Sequence, residues 1–291
     1  MRYRIHHQTV YKYESSVSYS HHVARLRPSV TPRQTQGSFE LKVTPAPDSL
    51  SHSIDYFGNA CSYFGLTTPH KKLVIDSYSQ VTVKPHQSID LDLSMPWEMV
   101  RDILRTSHLA PDLAAAEFTF ASPLCPYMPE LADYARQSFQ KDVPILQASK
   151  DLTSRIFKDF KFDPKVTTVA TPVSEVFEKR AGVCQDFSHF QISCLRSLGL
   201  AAAYVSGYLR TEPPPGKERL IGADASHAWV SIYAPQIGWT GFDATNNVLP
   251  SQDHIHVAKG RDYLDISPVR GTVFGGGTQT LNIGVTVSED E

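Results

Sequence analysis

The segment RAGVCQDFSHFQISCLRSLGL, residues 180–200, combines a helical pattern with two of the four cysteines of the chain. At about 100° per residue, its apolar side chains between Phe187 and Leu198 fall on one face of a helix. The opposite side, which we expect to be polar, carries His189, Ser193 and Arg196. The pattern therefore predicts a helix that begins near Cys184 and packs an apolar stripe against a core.

The two cysteines of this segment occupy different positions on the predicted helix. Cys194 lies in the apolar stripe, where a cysteine serves as a small buried hydrophobic residue. Cys184 follows Gly182 at the first turn, where unpaired N–H groups and the helix dipole favour the thiolate, which is the nucleophilic form. The same N–H groups could stabilise an oxyanion on an attacked carbonyl. Position alone fits a structural and a catalytic Cys184 equally well.

His189 is the histidine nearest to Cys184 in the sequence, but it is a poor partner for the thiol. Five residues along a helix turn its side chain about 140° away from that of Cys184. A general base must come within hydrogen-bonding distance of the group that it deprotonates. We therefore expect His189 to form hydrogen bonds at the surface or between domains, and we expect the base to come from elsewhere.

The segment Gly222–Tyr233 supplies a candidate base in His227, which opens a predicted strand and shares its face with Trp229. The next segment, Gly238–Phe242, can pair with that strand as a hairpin, and Asp243 follows at its end. An acid in this position could contact the second imidazole nitrogen and fix the tautomer and orientation of the ring.

Cys184 at a helix start, His227 on a strand and Asp243 on the next strand together match the triad of a thiol acyl-transfer enzyme. The thiolate would attack an amide or ester carbonyl, and His227 would protonate the leaving amine. Water or an amine would then resolve the thioester. The combination is far more specific than any of its members alone.

Four blocks, in this order along the chain, resemble the transglutaminase-like superfamily of papain-related cysteine enzymes. They are Gly182-Val-Cys-Gln-Asp-Phe, Leu195-Arg-Ser-Leu-Gly-Leu with Val205-Ser-Gly-Tyr, Ser226-His-Ala-Trp-Val, and Gly241-Phe-Asp-Ala-Thr-Asn. The resemblance implies Cys184 as nucleophile, His227 as base and Asp243 as orienting acid. Ala244 stands where many members of the family have proline, a departure that leaves the triad intact.

The resemblance extends over nearly the whole chain. Tyr3–Tyr13, Arg25-Leu-Arg-Pro and Asp55-Tyr-Phe-Gly-Asn are similar to the N-terminal domain of bacterial transglutaminase-like proteins, and Gly260–Gly271 is similar to the segment after their core. Bacterial members are described as cysteine proteases or amide hydrolases, whereas the animal enzymes transfer the acyl group to lysine. Three functions therefore stay open: an amide hydrolase, a protein–glutamine transferase, and a catalytically silent binding module.

The pattern of periodicities predicts an α+β fold. We expect an all-β domain, a sandwich or small barrel, over residues 1–90, a transglutaminase-like core of helices on an antiparallel sheet over 91–260, and an extension with a final strand over 261–291. Predicted strands are Tyr3–Tyr13, Ser38–Val43, Ser53–Tyr56, Ala60–Leu66, Leu73–Val83, Ala202–Arg210, His227–Tyr233, Gly238–Phe242 and Leu281–Val287. Predicted helices outside the opening segment are Trp97–Ser107, Met128–Gln140, Ile145–Asp159 and Ser174–Lys179, and Pro213–Gly216 is a predicted exposed loop.

The composition is that of a globular protein with a real core, since 41% of the 291 residues are hydrophobic and 20% are charged. A net charge of −2 provides no field that would attract nucleic acid or an anionic membrane. The N-terminus lacks an apolar leader, and no stretch approaches the ~18 apolar residues of a spanning helix. We therefore expect a cytoplasmic location, reduced thiols and a peptide or protein substrate as partner. The oligomeric state is not indicated.

No cofactor or metal is expected. His254 and His256 could place two imidazoles on one strand face, but no cysteine or carboxylate joins them at ligand spacing. The sequence also lacks an acidic loop with EF-hand spacing and a glycine-rich nucleotide motif. The predicted chemistry therefore relies on the side chains of the protein itself.

Overall fold

The computed structural model describes residues 1–85, 89–211 and 225–290, and it has the predicted α+β fold. Its strands are β1 (Arg2–Ala24), β2 (Gln34–Thr44), β3 (Ser49–Ile54), β4 (Ala60–Leu66), β5 (His70–Val83), β6 (Lys161–Phe162), β7 (Ala181–Gly182), β8 (Ala202–Leu209), β9 (Ala225–Ala234), β10 (Gly238–Phe242), β11 (His254–Gly260), β12 (Val269–Gly275) and β13 (Gln279–Glu289). Its α-helices are α1 (Trp97–Thr106), α2 (Ala110–Ala116), α3 (Pro129–Arg136), α4 (Ile145–Asp159), α5 (Val173–Lys179), α6 (Cys184–Ser197) and α7 (Tyr263–Ile266). The predicted loop Pro213–Gly216 lies outside the described residues.

The N-terminal sheet has seven strands and is built around β1, which is 23 residues long. The first half of β1 pairs with β5 and β13, and its second half pairs with β4 and β12. Strands β2 and β3 extend the sheet by pairing with β5 and β4. The strands that pair with the two halves of β1 pack their apolar side chains into one cluster, which includes Val17, Phe64 and Ile75. The last two strands of the chain therefore complete the sheet that the first strand begins.

Several elements differ from the sequence-based prediction. β1 continues to Ala24 beyond an irregularity in its pairing with β5, whereas the prediction ended at Tyr13. β12 was not predicted, because Gly271 weakens the strand pattern. A Cβ at Gly271 would lie 2.2 Å from His22 Nδ1, so the glycine is explained by a close approach rather than by a turn. α2 was also not predicted, because it carries Pro111 near its start, where a helix tolerates proline.

The core sheet has the strand order β10-β9-β8-β11 and is antiparallel throughout. Helix α6 packs on β8 and β9, and it is buried on all sides from Asp186 to Arg196. The face that we expected to be polar carries the polar side chains His189, Ser193 and Arg196, but it is buried. Arg196 donates to the carbonyls of Phe118, Ala202 and Arg261 and to the hydroxyl of Ser122. These bonds satisfy the guanidinium inside the core.

None of the helices in the described ranges has the length and apolar character needed to span a bilayer.

Two side-chain amides of the N-terminal region bind the outer edge of β11. Gln34 accepts the N–H of His256 at 2.9 Å and donates to the carbonyl of the same residue at 2.7 Å. Asn59 accepts the N–H of Lys259 at 2.8 Å and donates to its carbonyl, also at 2.8 Å. Unpaired groups on an edge strand need partners when they are buried. The two amides therefore act as substitutes for a neighbouring strand.

The turn from Asp55 to Asn59 holds the second amide in place. Asp55 accepts both the backbone N–H and the side-chain amide of Asn59, and it also accepts the guanidinium N–H of Arg25 at 3.0 Å. The turn formed by Asp55-Tyr-Phe-Gly-Asn thus orients the side-chain amide of Asn59 toward the core sheet.

We expect Asn59→Ala to lower the free energy of unfolding by about 2–4 kcal/mol, because it leaves the backbone N–H and carbonyl of Lys259 without their side-chain partner and removes the side-chain amide from Asp55. Asn282→Ala, on an exposed position of β13, is the matched control and should change stability by less than about 0.5 kcal/mol. Urea unfolding followed by circular dichroism measures both. Equal losses in the two variants would contradict a role for the amide at the interface.

Candidate active site

Helix α6 begins at Cys184, as predicted, and the thiol of this residue is partly exposed. Asp186 caps the helix by accepting the N–H of Val183 at 2.8 Å and the hydroxyl of Thr167 at 2.7 Å. A Cβ at Gly182 would lie 2.6 Å from the capping carboxylate, so this position requires glycine. The N–H of Cys184 is one of the first-turn groups without an intrahelical partner.

The other three thiols lie in the interior, where burial favours the uncharged form. Burial raises the pKa of Cys125 to about 12 and also raises the pKa values of Cys61 and Cys194. The expectation that Cys194 belongs to the core is confirmed. Cys184 is therefore the thiol that reagents in solution can reach.

The structure brings the other two predicted residues together beside Cys184. His227 lies on β9, and Asp243 follows β10 in the expected hairpin. His227 Nε2 lies 2.8 Å from Asp243 Oδ2, and both side chains are buried. The bond to Asp243 leaves Nδ1 for the hydrogen bond that His227 shares with the Cys184 thiol.

Burial and neighbouring groups shift the pKa values of His227 and Asp243. Burial lowers the pKa of His227, but hydrogen bonds and charges from Asp243 and Cys184 outweigh this effect and raise the pKa to about 10. Burial raises the pKa of Asp243, but hydrogen bonds from His227 and His254 hold it well below its usual range. The imidazolium and the carboxylate are therefore the favoured forms at neutral pH.

Asn246 also binds Asp243, and sequence reasoning assigned it no role. Its Nδ2 donates to Asp243 Oδ2 at 2.7 Å, while the backbone N–H groups of Thr245 and Asn246 donate to Oδ1 at 2.9 and 3.2 Å. Two backbone bonds between Asp243 and Val248 close this turn. The sequence did contain a signal for this turn, because an aspartate side chain often accepts the backbone N–H groups of the residues two and three positions later.

His254 on β11 is the second residue that sequence reasoning did not place here. Its Nε2 lies 3.1 Å from Asp243 Oδ2. Ligand atoms of His227, Asp243 and His254 all lie within 4.8 Å of one another, a spacing that could suit a metal ion. The two hydrogen bonds to Asp243 Oδ2 already account for this spacing. His256, considered with His254 as a metal-binding pair, is not part of the group.

His189 forms a hydrogen bond, as expected, and of the two positions considered for it, surface or interdomain, the surface is wrong. It is buried between α6 and α7, accepts the N–H of Tyr263 at 3.2 Å and packs against the ring of Tyr204. Burial lowers the pKa of His189 to about 4, which keeps the imidazole neutral. The surface alternative fails because α6 has no exposed face between Asp186 and Arg196.

Comparison with known proteins identifies the family of this chain. Residues 132–244 match the transglutaminase-like superfamily, and residues 3–82 match the bacterial transglutaminase-like N-terminal region. The chain is similar to an uncharacterised protein of Mycobacterium tuberculosis, with 42% identity over 300 residues that cover 99% of this chain and 92% of the relative. The chain belongs to the transglutaminase-like superfamily. The predicted resemblance is thereby confirmed.

Two further matches define what this transglutaminase-like chain resembles. A crystal structure from Cytophaga hutchinsonii named "Putative Cysteine Protease" has a TM-score of 0.76 at 21% identity, covering 99% of this chain and 90% of that one, which shows a shared fold. The protein-glutamine gamma-glutamyltransferase of Pseudomonas aeruginosa is 28% identical over 130 residues, which cover 42% of this chain and 18% of that protein.

We expect His227 to stay protonated at neutral pH and to lose its proton near pH 10. Its pKa is raised on folding, so the contribution to stability is complete below about pH 6.5, the unfolded value, and is lost as the pH rises through 10. Asp243→Asn should move the titration to lower pH, because it removes the charge that holds the imidazolium. NMR shifts of the imidazole nitrogens measure both. A wild-type titration at or below pH 6.5 would mean that burial dominates.

Proposed function

We propose that the protein is a cysteine-dependent acyl-transfer enzyme that hydrolyses peptide or isopeptide amide bonds. Cys184 is the nucleophile, His227 the acid and base, and Asp243 the residue that orients and charges the imidazole. One observation carries the proposal: an accessible thiol at a helix N-terminus shares a hydrogen bond with a histidine whose other nitrogen is bound to a buried carboxylate.

In the first half of the proposed reaction, the Cys184 thiolate attacks the amide carbon. A C–S bond forms while the carbonyl oxygen becomes an oxyanion near the N–H of Cys184 at the open end of α6. The C–N bond then breaks, and His227 gives its Nδ1 proton to the departing amine. Asp243 stays ionised and holds the ring so that Nδ1 faces the sulfur.

In the second half, water attacks the thioester, and His227 takes up a proton from it. The C–S bond breaks, the carboxylic acid leaves, and the thiolate and imidazolium are restored. A partly exposed sulfur makes water the simplest acceptor. No metal or cofactor enters these steps.

Transfer to an amine is the second candidate. It is favoured by the similarity of the core to the Pseudomonas aeruginosa protein-glutamine gamma-glutamyltransferase. The thioester is the same in both candidates, and a lysine or other primary amine would take the place of water. The two functions therefore differ only in the second half of the reaction.

The nucleophile is tested by alkylation with iodoacetamide. Cys184 should react at pH 6–7 at least about tenfold faster than free cysteine, because its thiol shares a hydrogen bond with His227 at a helix N-terminus. His227→Ala should remove most of this advantage. Cys184→Ser is the control and should take up no label while folded, since the other three thiols are buried. A wild-type rate no faster than that of free cysteine would favour the catalytically silent binding module.

The acceptor is tested with a glutamine-bearing peptide and a labelled primary amine. Hydrolysis should release ammonia and convert the glutamine to glutamate even when the amine is present. Mass spectrometry of the peptide distinguishes glutamate from the amine adduct. Incorporation of the amine without appreciable hydrolysis would overturn the hydrolase proposal in favour of the transferase.

A further inference from the structure

We infer that His254 is a positioning residue, which holds the Asp243 carboxylate in place for His227. The inference rests on the proposed function, because it concerns the acid of the same site. Asp243 is fully buried, and its Oδ2 receives three side-chain donors, from His227, His254 and Asn246. His254 is the donor furthest along the chain, and it reaches the carboxylate from a separate strand, β11.

The hydrogen bonds of His254 define its tautomer. Its Nδ1 accepts the N–H of Ser251 at 3.3 Å, so Nδ1 carries no proton in this arrangement. The proton of the neutral ring is then on Nε2, which donates to Asp243 Oδ2. The imidazole is thus oriented as a donor toward the carboxylate by a backbone group on its other side.

Trp229 fixes the plane of the His254 ring. The indole lies edge-on to His254, with centroids 5.3 Å apart, and it also contacts the ring of His227. Gly207 on β8 makes room for the indole, since a Cβ there would lie 2.5 Å from Trp229 Cη2. The His254 ring is thus held by the Ser251 N–H, by Asp243 and by Trp229. A side chain held in this way positions the carboxylate more precisely than a mobile one would.

The N-terminal sheet fixes the strand that carries His254. The amides of Gln34 and Asn59 hold the outer edge of β11, and Tyr3 donates to Asp253, the residue next to His254. The N-terminal sheet therefore reaches the site indirectly, through β11 and His254 to Asp243. This gives the sheet a role in the core chemistry without contact with substrate.

Loss of the His254 donor would leave a buried carboxylate with one partner fewer and freer to turn from His227. A hydrogen bond to a charged group stabilises its acceptor strongly, so the carboxylate should hold His227 less firmly when this bond is lost. We therefore expect alkylation of Cys184 to be about tenfold slower. The effect should depend on the donor at the Nε2 position rather than on the ring itself. Glutamine can place an amide N–H near that position, whereas the shorter asparagine stops near the Nδ1 position.

The test compares His254→Gln with His254→Asn in the whole 291-residue chain. The measurement is the rate of Cys184 alkylation by iodoacetamide at pH 6–7, with thermal unfolding to show that each variant is folded. We expect His254→Gln to stay within about threefold of the wild-type rate and His254→Asn to fall about tenfold. His256→Leu is the control, because His256 lies two residues away, is half-buried and contacts Trp229 without a bond to Asp243. Its rate should match the wild type.

Equal rates for His254→Asn and the wild type would overturn the inference while leaving the proposed function intact. So would equal losses in His254→Gln, His254→Asn and His256→Leu, because packing alone would then explain them. If wild-type Cys184 reacts no faster than free cysteine, the proposed function fails, and the inference fails with it.

Discussion

The buried carboxylate of Asp243 is the constraint on which the rest of the site depends. A charge without solvent is stable only when donors surround it. Five do so here: two imidazoles, one side-chain amide and two backbone N–H groups. They come from β9, from β11 and from the turn after β10, so the core sheet must hold three segments in register for one charge to be satisfied.

The order of strands in the core sheet places the donors around the Asp243 carboxylate. β8 separates β9 from β11, and their histidines converge on Asp243 across it. Gly207 on β8 leaves space for Trp229, which packs against both imidazoles. Beyond β11, Gln34 and Asn59 of the N-terminal region complete the hydrogen bonding of the edge. The two sheets are therefore joined at the strand that carries one of the donors to Asp243.

Much of the site could be predicted from the sequence because its signals are local. The start of α6 at Cys184 and the hairpin that brings Asp243 to His227 each depend on neighbouring residues. His254 was not predicted, because its contact joins strands that are not adjacent in the sheet. A surface position was one of the two considered for His189, because a helical wheel shows one apolar face and cannot show that other elements cover the second. Both errors concern contacts that only the assembled fold creates.

The central claim is that Cys184, activated through His227 and Asp243, forms an acyl-enzyme. The most direct measurement is mass spectrometry of the protein after brief exposure to p-nitrophenyl acetate, with peptide mapping of the acetyl group. We expect one acetyl group on Cys184 in the wild type, and far slower acetylation in both His227→Ala and Asp243→Ala. Acetylation of another residue, or an unchanged rate in these variants, would contradict it.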